Sequence, residues 1–278
     1  TRFTMRHIAE PFTFGDPLYR TGISVGDYPI DHHHGKNPSV AQHLDFYSIP
    51  SYNVPLGALI PKNFDNLIIA EKGISVSNVA NGSTRLQPCV LLTGQAAGTM
   101  AALSSLKKEK PAEIPVRTVQ NSLLQAKAYI MPYIDIMPTS PYFEAVQKIG
   151  ATGILRGKGI PYRWANQTWF YPDSMVEAKS LCENLNEFKQ AAYVFSGKHV
   201  LVSEAITIVE KIRPNFGAQG SNKTPKASAV IKSKWKNWGL TNFDPNRHIT
   251  RLELAVLLQK TVDPFAMKAI NHQGRFKE

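Results

Sequence analysis

Gly82-Ser83-Thr84-Arg85-Leu86-Gln87-Pro88-Cys89, running on into Thr93-Gly94-Gln95-Ala96-Ala97-Gly98-Thr99-Met100-Ala101-Ala102, is the stretch that decides the fold. From Thr93 to Leu106 the residues are small and helix-favouring, and the Thr93 hydroxyl is available as an N-cap. Lys107-Lys108-Glu109-Lys110-Pro111 ends this helix with charge and a proline. Glycine and alanine at 94–98 let the helix approach a strand or a flat ring closely. A helix N-terminus also carries free N–H groups and partial positive charge. On the residues alone, such a helix is more often a matter of simple tight packing.

Working outward, Asn66-Leu67-Ile68-Ile69-Ala70 is a short apolar run with polar flanks, the pattern of a strand buried on both faces. A second helix is predicted over Val116–Tyr129, with Val119, Leu123, Leu124 and Ala128 at helical spacing. Upstream stand Ile23-Ser24-Val25-Gly26-Asp27-Tyr28-Pro29-Ile30-Asp31-His32-His33-His34 and Tyr52-Asn53-Val54-Pro55-Leu56-Gly57-Ala58-Leu59-Ile60-Pro61-Lys62.

In order and spacing these four linked motifs, over residues 23–103, resemble the C-terminal part of the FAD-dependent oxidoreductases of bacterial polysaccharide and envelope loci. The resemblance implies FAD as cofactor and hydride transfer from a sugar-like or other small polar substrate. It implies that the helix after residue 93 points at the pyrimidine edge of the isoalloxazine, where a donor favours the reduced anionic flavin. The cofactor-binding positions carried over are Ala70, Lys72, Gly82, Thr93, Gly94, Gln95 and Ala96; the catalytic candidates are Asp31, His33 and Arg85.

The chain also departs from the pattern. Where the family has Ala-Gly-Arg after the buried strand, this sequence has Ala70-Glu71-Lys72-Gly73. Glu71 brings negative charge towards a pyrophosphate and adds a Cβ where backbone approaches closely; Lys72 replaces a forked cation with a point charge. No G-x-G-x-x-G opens a βαβ unit, so the half that grips the ADP moiety is expected outside these residues, and FAD binding by 1–278 alone is expected to be poor or absent. The alternative is a degenerate, non-catalytic flavin-like domain whose repeats bind an envelope glycan or a partner.

Asp31-His32-His33-His34 reads as a polar surface loop, as a substrate-side contact or, least well, as metal ligands, since no second cluster has ligand spacing. No metal is therefore assigned. Arg85 could hold a substrate carboxylate or an anionic flavin edge, or form a structural salt bridge.

Three prolines between Met131-Pro132 and Ser140-Pro141 mark a domain boundary, giving 1–138 and 139–278. Helices are predicted at about 142–151, 174–188, 199–213, 226–237 and 250–262. An internal repeat runs through them: Gly153 then Phe170-Tyr171-Pro172-Asp173, and Gly239 then Phe243-Asp244-Pro245-Asn246. The glycine-to-proline spacing is 19 in the first copy and 6 in the second, so the first carries a 13-residue insertion that includes Arg163, Trp164 and Trp169. Val202-Ser203-Glu204-Ala205-Ile206 resembles Arg251-Leu252-Glu253-Leu254-Ala255 and suggests a degenerate middle copy. Phe-Asp-Pro-Asn followed by Ile249-Thr250-Arg251-Leu252-Glu253-Leu254-Ala255 resembles the S-layer homology repeat, which implies glycan contact at Thr250 and Arg251. The alternative is a helix cap at Thr250 and an internal pair at Arg251. The fold class expected is α/β, as a partial flavoprotein domain, plus an all-α helical repeat domain.

The net charge of +11 is unevenly placed, +2 over 1–138 and +9 over 139–278. A basic second half suits an anionic glycan or envelope partner, or only a lysine-decorated surface; no nucleic-acid fold accompanies it. Cys89 and Cys182 read as buried free thiols. No run of about 18 apolar residues predicts a transmembrane segment. Thr1-Arg2-Phe3-Thr4-Met5-Arg6 shows no targeting signal, and the chain is expected to start partway through a longer gene product. The envelope resemblance implies an extracytoplasmic place, periplasm or cell envelope.

Overall fold

The computed structural model describes residues 1–32, 48–214, 216 and 227–277. They form two compact units: Thr1–Ile134 with Gly157–Trp169 and Ala269–Glu278, and Asp135–Arg156 with Phe170–Lys268. The first break falls at 134/135 rather than 138/139, and neither unit is one continuous stretch. The 13-residue insertion inferred from the repeat spacing is the segment 157–169, and it folds with the first unit.

The first unit holds α1 (Met5–Ala9), β1 (Gly22–Gly26), β2 (Tyr52–Pro55), α2 (Asn78–Thr84), α3 (Gln87–Lys107), α4 (Val116–Gln125), β3 (Lys158–Ile160) and β4 (Gln167–Trp169). β1 pairs antiparallel with β2, and β3 with β4. Among the described residues there is no parallel ladder of the kind the α/β expectation requires; only isolated parallel bridges, Phe3 with Val76 and Tyr133 with Thr168, are formed. Side chains, rather than further strands, satisfy carbonyls at the rim of the β1–β2 pair. Gln120 on α4 donates Nε2–H to Gly22 O at 2.9 Å and to Arg20 O at 3.0 Å. Asn53 donates Nδ2–H to Tyr19 O and Ile130 O, both at 2.8 Å. Both amides are buried, where an unmet carbonyl would be costly.

The predicted strand at 66–70 does not form. Asn66 and Leu67 are exposed, and Ile69 N–H donates to Leu59 O at 2.8 Å. A strand apolar on both faces needs neighbours along both edges, and the described residues supply none.

α3 begins at Gln87, not after Thr93, with Leu86 as N-cap and Pro88 in the first turn. Proline suits that turn because it has no N–H to leave unmet. By length and composition α3 is long and apolar enough to cross a membrane. Its buried side, Cys89, Thr93, Ala96, Ala97 and Met100, packs as a core helix does, against β1 and α4. α4 stops at Gln125, four residues short of the predicted end, where Lys127 takes a left-handed φ of 59°.

The second unit holds α5 (Phe143–Thr152), α6 (Ala178–Phe188), α7 (Val202–Ile212), α8 (Ala227–Trp235), α9 (Arg251–Thr261) and α10 (Pro264–Met267). Gly153 and Gly239, the two turn glycines of the repeat, close their helical segments at φ 84° and 78°, a conformation that favours glycine. Three backbone bonds then make a closed ring. Val176 N–H donates to Ile249 O at 3.1 Å, Ile249 N–H to Val200 O at 2.9 Å, and Val200 N–H to Val176 O at 2.9 Å. Each of the three residues stands two positions before an 11-residue helix: α6, α7 and α9. Residues 202–206, where a middle copy is suggested, open α7.

Candidate functional site

The site is built where β1 runs out. Gly26 ends the strand, and Asp27–His32 continue as a loop laid against α2 and the turn before α3. Gly82 on α2 permits this closeness: a Cβ there would lie 2.7 Å from His32 Nε2 and 2.9 Å from Asp31 O. Asp31 N–H donates to Gly82 O at 3.3 Å. Arg85, the C-cap of α2, donates from its guanidinium to Asp31 O at 2.8 Å. His32 Nε2 lies 3.1 Å from Val79 O, so that nitrogen carries the proton and donates.

Beneath the loop lies a buried chain of hydroxyls. Ser83 Oγ donates to Tyr28 O at 2.6 Å and so accepts from Tyr52 Oη, also at 2.6 Å. Thr93 Oγ1 donates to Cys89 O at 2.7 Å and lies 3.0 Å from Ser24 Oγ, fastening α3 to β1. Burial drives the Tyr52 phenol well above its ordinary value, and the neighbouring Cys89 adds to the shift. Burial likewise pushes the Cys89 thiol up to about 11. Near neutral pH both are uncharged, so Cys89 is a packing residue and not a nucleophile.

Asp31, Arg85 and Gly82 therefore meet; Arg85 reaches a backbone carbonyl there rather than forming a salt bridge. His33 lies outside the described residues, as does His34. Thr93, Gly94, Gln95 and Ala96 lie inside α3, and the free N–H groups assigned to them belong to its true first turn. There the N–H groups of Gln87 and Cys89 have no partner among the described residues, and Leu86 supplies no side-chain cap. Ala70 is half-buried and Lys72 exposed. Lys72 O accepts from Asn81 Nδ2 at 3.2 Å. Glu71 is exposed and adopts φ 57°, the left-handed conformation a glycine would take without strain.

Sequence reasoning missed Tyr52, Ser83 and the Gln87–Cys89 turn as site residues. The signal for the last was Pro88, which marks a first helical turn more reliably than the threonine downstream. Among the described residues no group of three His, Cys, Asp or Glu could hold a metal ion.

These residues fit one end of FAD. An uncapped turn at the head of a 21-residue helix, directly after Arg85, presents donors and positive potential to an anionic ring edge. They do not fit the diphosphate end: no glycine fingerprint is present, and Glu71 stands where close approach is needed.

No curated protein and no solved structure matches the chain. The family model described as FAD dependent oxidoreductase matches residues 1–123.

Proposed function

We propose that the first unit supplies the substrate side and the ring-edge end of a flavin site that takes hydride from a sugar-like or other small polar substrate. The observation that carries this reading is the uncapped Gln87–Cys89 turn beside Arg85, within the matched stretch. FAD, when bound, supplies the hydride acceptor. Gln87 N–H and Cys89 N–H would face the ring edge and favour negative charge there. Arg85 positions the loop through the Asp31 carbonyl, and the Asp31 carboxylate with His33 takes the proton from a substrate hydroxyl. The Tyr52–Ser83–Tyr28 chain fixes the loop from below without titrating.

The test is a titration of the full chain with FAD and with riboflavin, followed by flavin fluorescence. Comparable affinities for the two are expected, because the described residues meet only the ring. FAD binding some hundredfold tighter, or no binding of either, overturns the reading.

For the second unit we propose an anionic envelope glycan as partner, and an extracytoplasmic location, periplasm or cell envelope, for the whole. The +9 charge of residues 139–278 and the S-layer-like Thr250-Arg251 pair support this. Thr250 also caps α9 by accepting from Glu253 N–H, while Arg251 donates to Phe170 O at 2.6 Å and Arg156 O at 2.8 Å. A pull-down on purified envelope glycan tests it: Arg251→Ala, shown folded by its thermal melt, should be retained less than the parent, and equal retention removes Arg251 as a contact.

A further inference from the structure

The closed ring of backbone bonds through Val176, Val200 and Ile249 sets three further side chains around one axis. The ring residues are buried, and in extended backbone their chain neighbours turn to the opposite, outer face. The preceding neighbours are Met175, His199 and His248, each three residues before α6, α7 or α9. Antiparallel bridges pair Met175 with Thr250, His199 with Glu177 and His248 with Leu201. Thr250 stands two residues after His248, Glu177 two after Met175 and Leu201 two after His199. Met175, His199 and His248 are therefore related to one another as the ring bonds are, by an approximate threefold.

These side chains reach solvent: Met175 is 52 % exposed, His248 is exposed and His199 is half-buried. The two imidazoles meet nearly edge to face, with centroids 5.5 Å apart and planes at 69°. Neither imidazole hydrogen-bonds to another described residue, so ring nitrogens remain for a ligand. Glu177, across the bridge from His199, puts a carboxylate on the same face and favours a cation there.

The separation of the rings selects a coordination angle. An ion about 2.0 Å from each ligating nitrogen lies about 3.2 Å from each ring centre. Two ring centres are then about 5.5 Å apart at a trigonal angle, about 5.2 Å at a tetrahedral one and about 4.5 Å at a right angle. The observed spacing is the trigonal one, and the threefold puts the Met175 thioether at the third corner. A thioether is a soft ligand that suits copper(I), whereas zinc(II) prefers four ligands without one, and calcium or magnesium prefers oxygen. Such a set agrees with the absence, among the described residues, of a group of three His, Cys, Asp or Glu able to hold a metal, because its third member is a thioether. We propose that Met175, His199 and His248 bind one copper(I) ion on the axis of the second unit, tying together the segments that lead into α6, α7 and α9.

The test titrates the full chain with copper(I), kept reduced by ascorbate and buffered by bicinchoninate, and repeats the titration with zinc(II). Copper(I) should bind saturably at one equivalent and raise the melting temperature, since an ion held only by the folded form stabilises it. His199→Gln and His248→Gln should each weaken copper(I) by at least about tenfold, and so should Met175→Leu. Met175→Leu should leave the weaker binding of zinc(II) unchanged, which a merely structural role for the methionine does not predict. The three side chains reach the surface, so the metal-free variants should melt as the parent does. No saturable copper(I) binding overturns the proposal. Binding unmoved by all three substitutions also overturns it and places the ion elsewhere, at Cys182 or the run His32–His34. Loss in the histidine variants without loss in Met175→Leu overturns it too, leaving a site of two imidazoles alone.

Discussion

The Trp164 ring packs on Tyr28 with centroids 5.7 Å apart, at the tip of the inserted hairpin. Two residues on, Asn166 N–H donates to Asp27 O at 2.9 Å, so the tip is tied to the loop after β1 by backbone as well as by ring. Trp164 is 69 % exposed, whereas Asn166 is 3 % exposed and accepts from Tyr162 N–H through Oδ1 at 2.7 Å. The contributions should differ accordingly. Trp164→Ala is expected to cost about 0.5–1 kcal/mol, an exposed ring pair, and Asn166→Ala about 1–2 kcal/mol, a lost buried hydrogen bond. Urea unfolding of both variants checks the order, and a larger loss from Trp164→Ala would show that the ring contact dominates.

Glu71 holds a glycine's conformation without being one. Replacing a non-glycine residue at positive φ relieves about 1 kcal/mol, partly offset by the greater freedom glycine has when unfolded. Glu71→Gly is therefore expected to stabilise the protein by about 0.5 kcal/mol, while Glu71→Ala, which keeps the Cβ, should not. Denaturant midpoints measure both. Equal effects would mean that the charge at residue 71, and not its backbone, sets the cost.

Much of the second unit was legible because its signals are local. Gly153 and Gly239 end helices, Thr250 caps one, and a difference in glycine-to-proline spacing matches the length of the 13-residue segment that folds with the first unit. The first unit was less legible. Thr93 looks like a cap in isolation, and only its contact with Ser24, 69 residues away in sequence, shows that its hydroxyl joins a helix to a strand. The run at 66–70 has strand composition, yet a strand exists only with a partner, and period alone cannot report whether one is present. Tyr52 was equally hidden: its importance comes from burial against Ser83 and Cys89, which no spacing rule contains.

The buried Cys89–Tyr52 pair makes stability sensitive to alkali. The folded Cys89 thiol titrates at about 11 against an ordinary 9.0, so its contribution is fully present below pH 9 and lost as pH rises from 9 through 11. Tyr52 is shifted in the same direction and extends the loss upward. The thiol alone accounts for roughly 2–3 kcal/mol at the top of this window. Unfolding free energies at pH 8, 10 and 11 should fall steeply in the parent and less steeply in Cys89→Ala, since other raised tyrosines such as Tyr129 and Tyr193 are common to both. Identical slopes would locate the alkaline sensitivity elsewhere. Iodoacetamide should accordingly modify Cys89 slowly at pH 8 in the folded protein.

Glu204 and Glu253 occupy the same third position of equivalent helices, α7 and α9, yet they carry different loads. Glu204 accepts from Leu201 N–H at 2.8 Å and Ser196 N–H at 2.6 Å. Burial pushes its carboxyl up, but these backbone donors outweigh that and leave it below the ordinary value. Its contribution is thus present above the ordinary carboxylate range and lost as pH falls through the lowered value. Glu253 accepts from Thr250 N–H at 2.9 Å and also takes both guanidinium nitrogens of Arg247, at 2.6 and 2.9 Å. Arg247 in turn donates to the carbonyls of Thr241, Asn242 and His248, so the fork fixes the whole turn before α9. Glutamine keeps an acceptor for the backbone in either place but cannot pair with the fork as a carboxylate does. Glu204→Gln is expected to cost about 0.5–1 kcal/mol and Glu253→Gln about 2 kcal/mol. Thermal melts of the two variants decide it: equal losses would show that the cap alone matters at both helices, and that the Arg247 fork adds nothing.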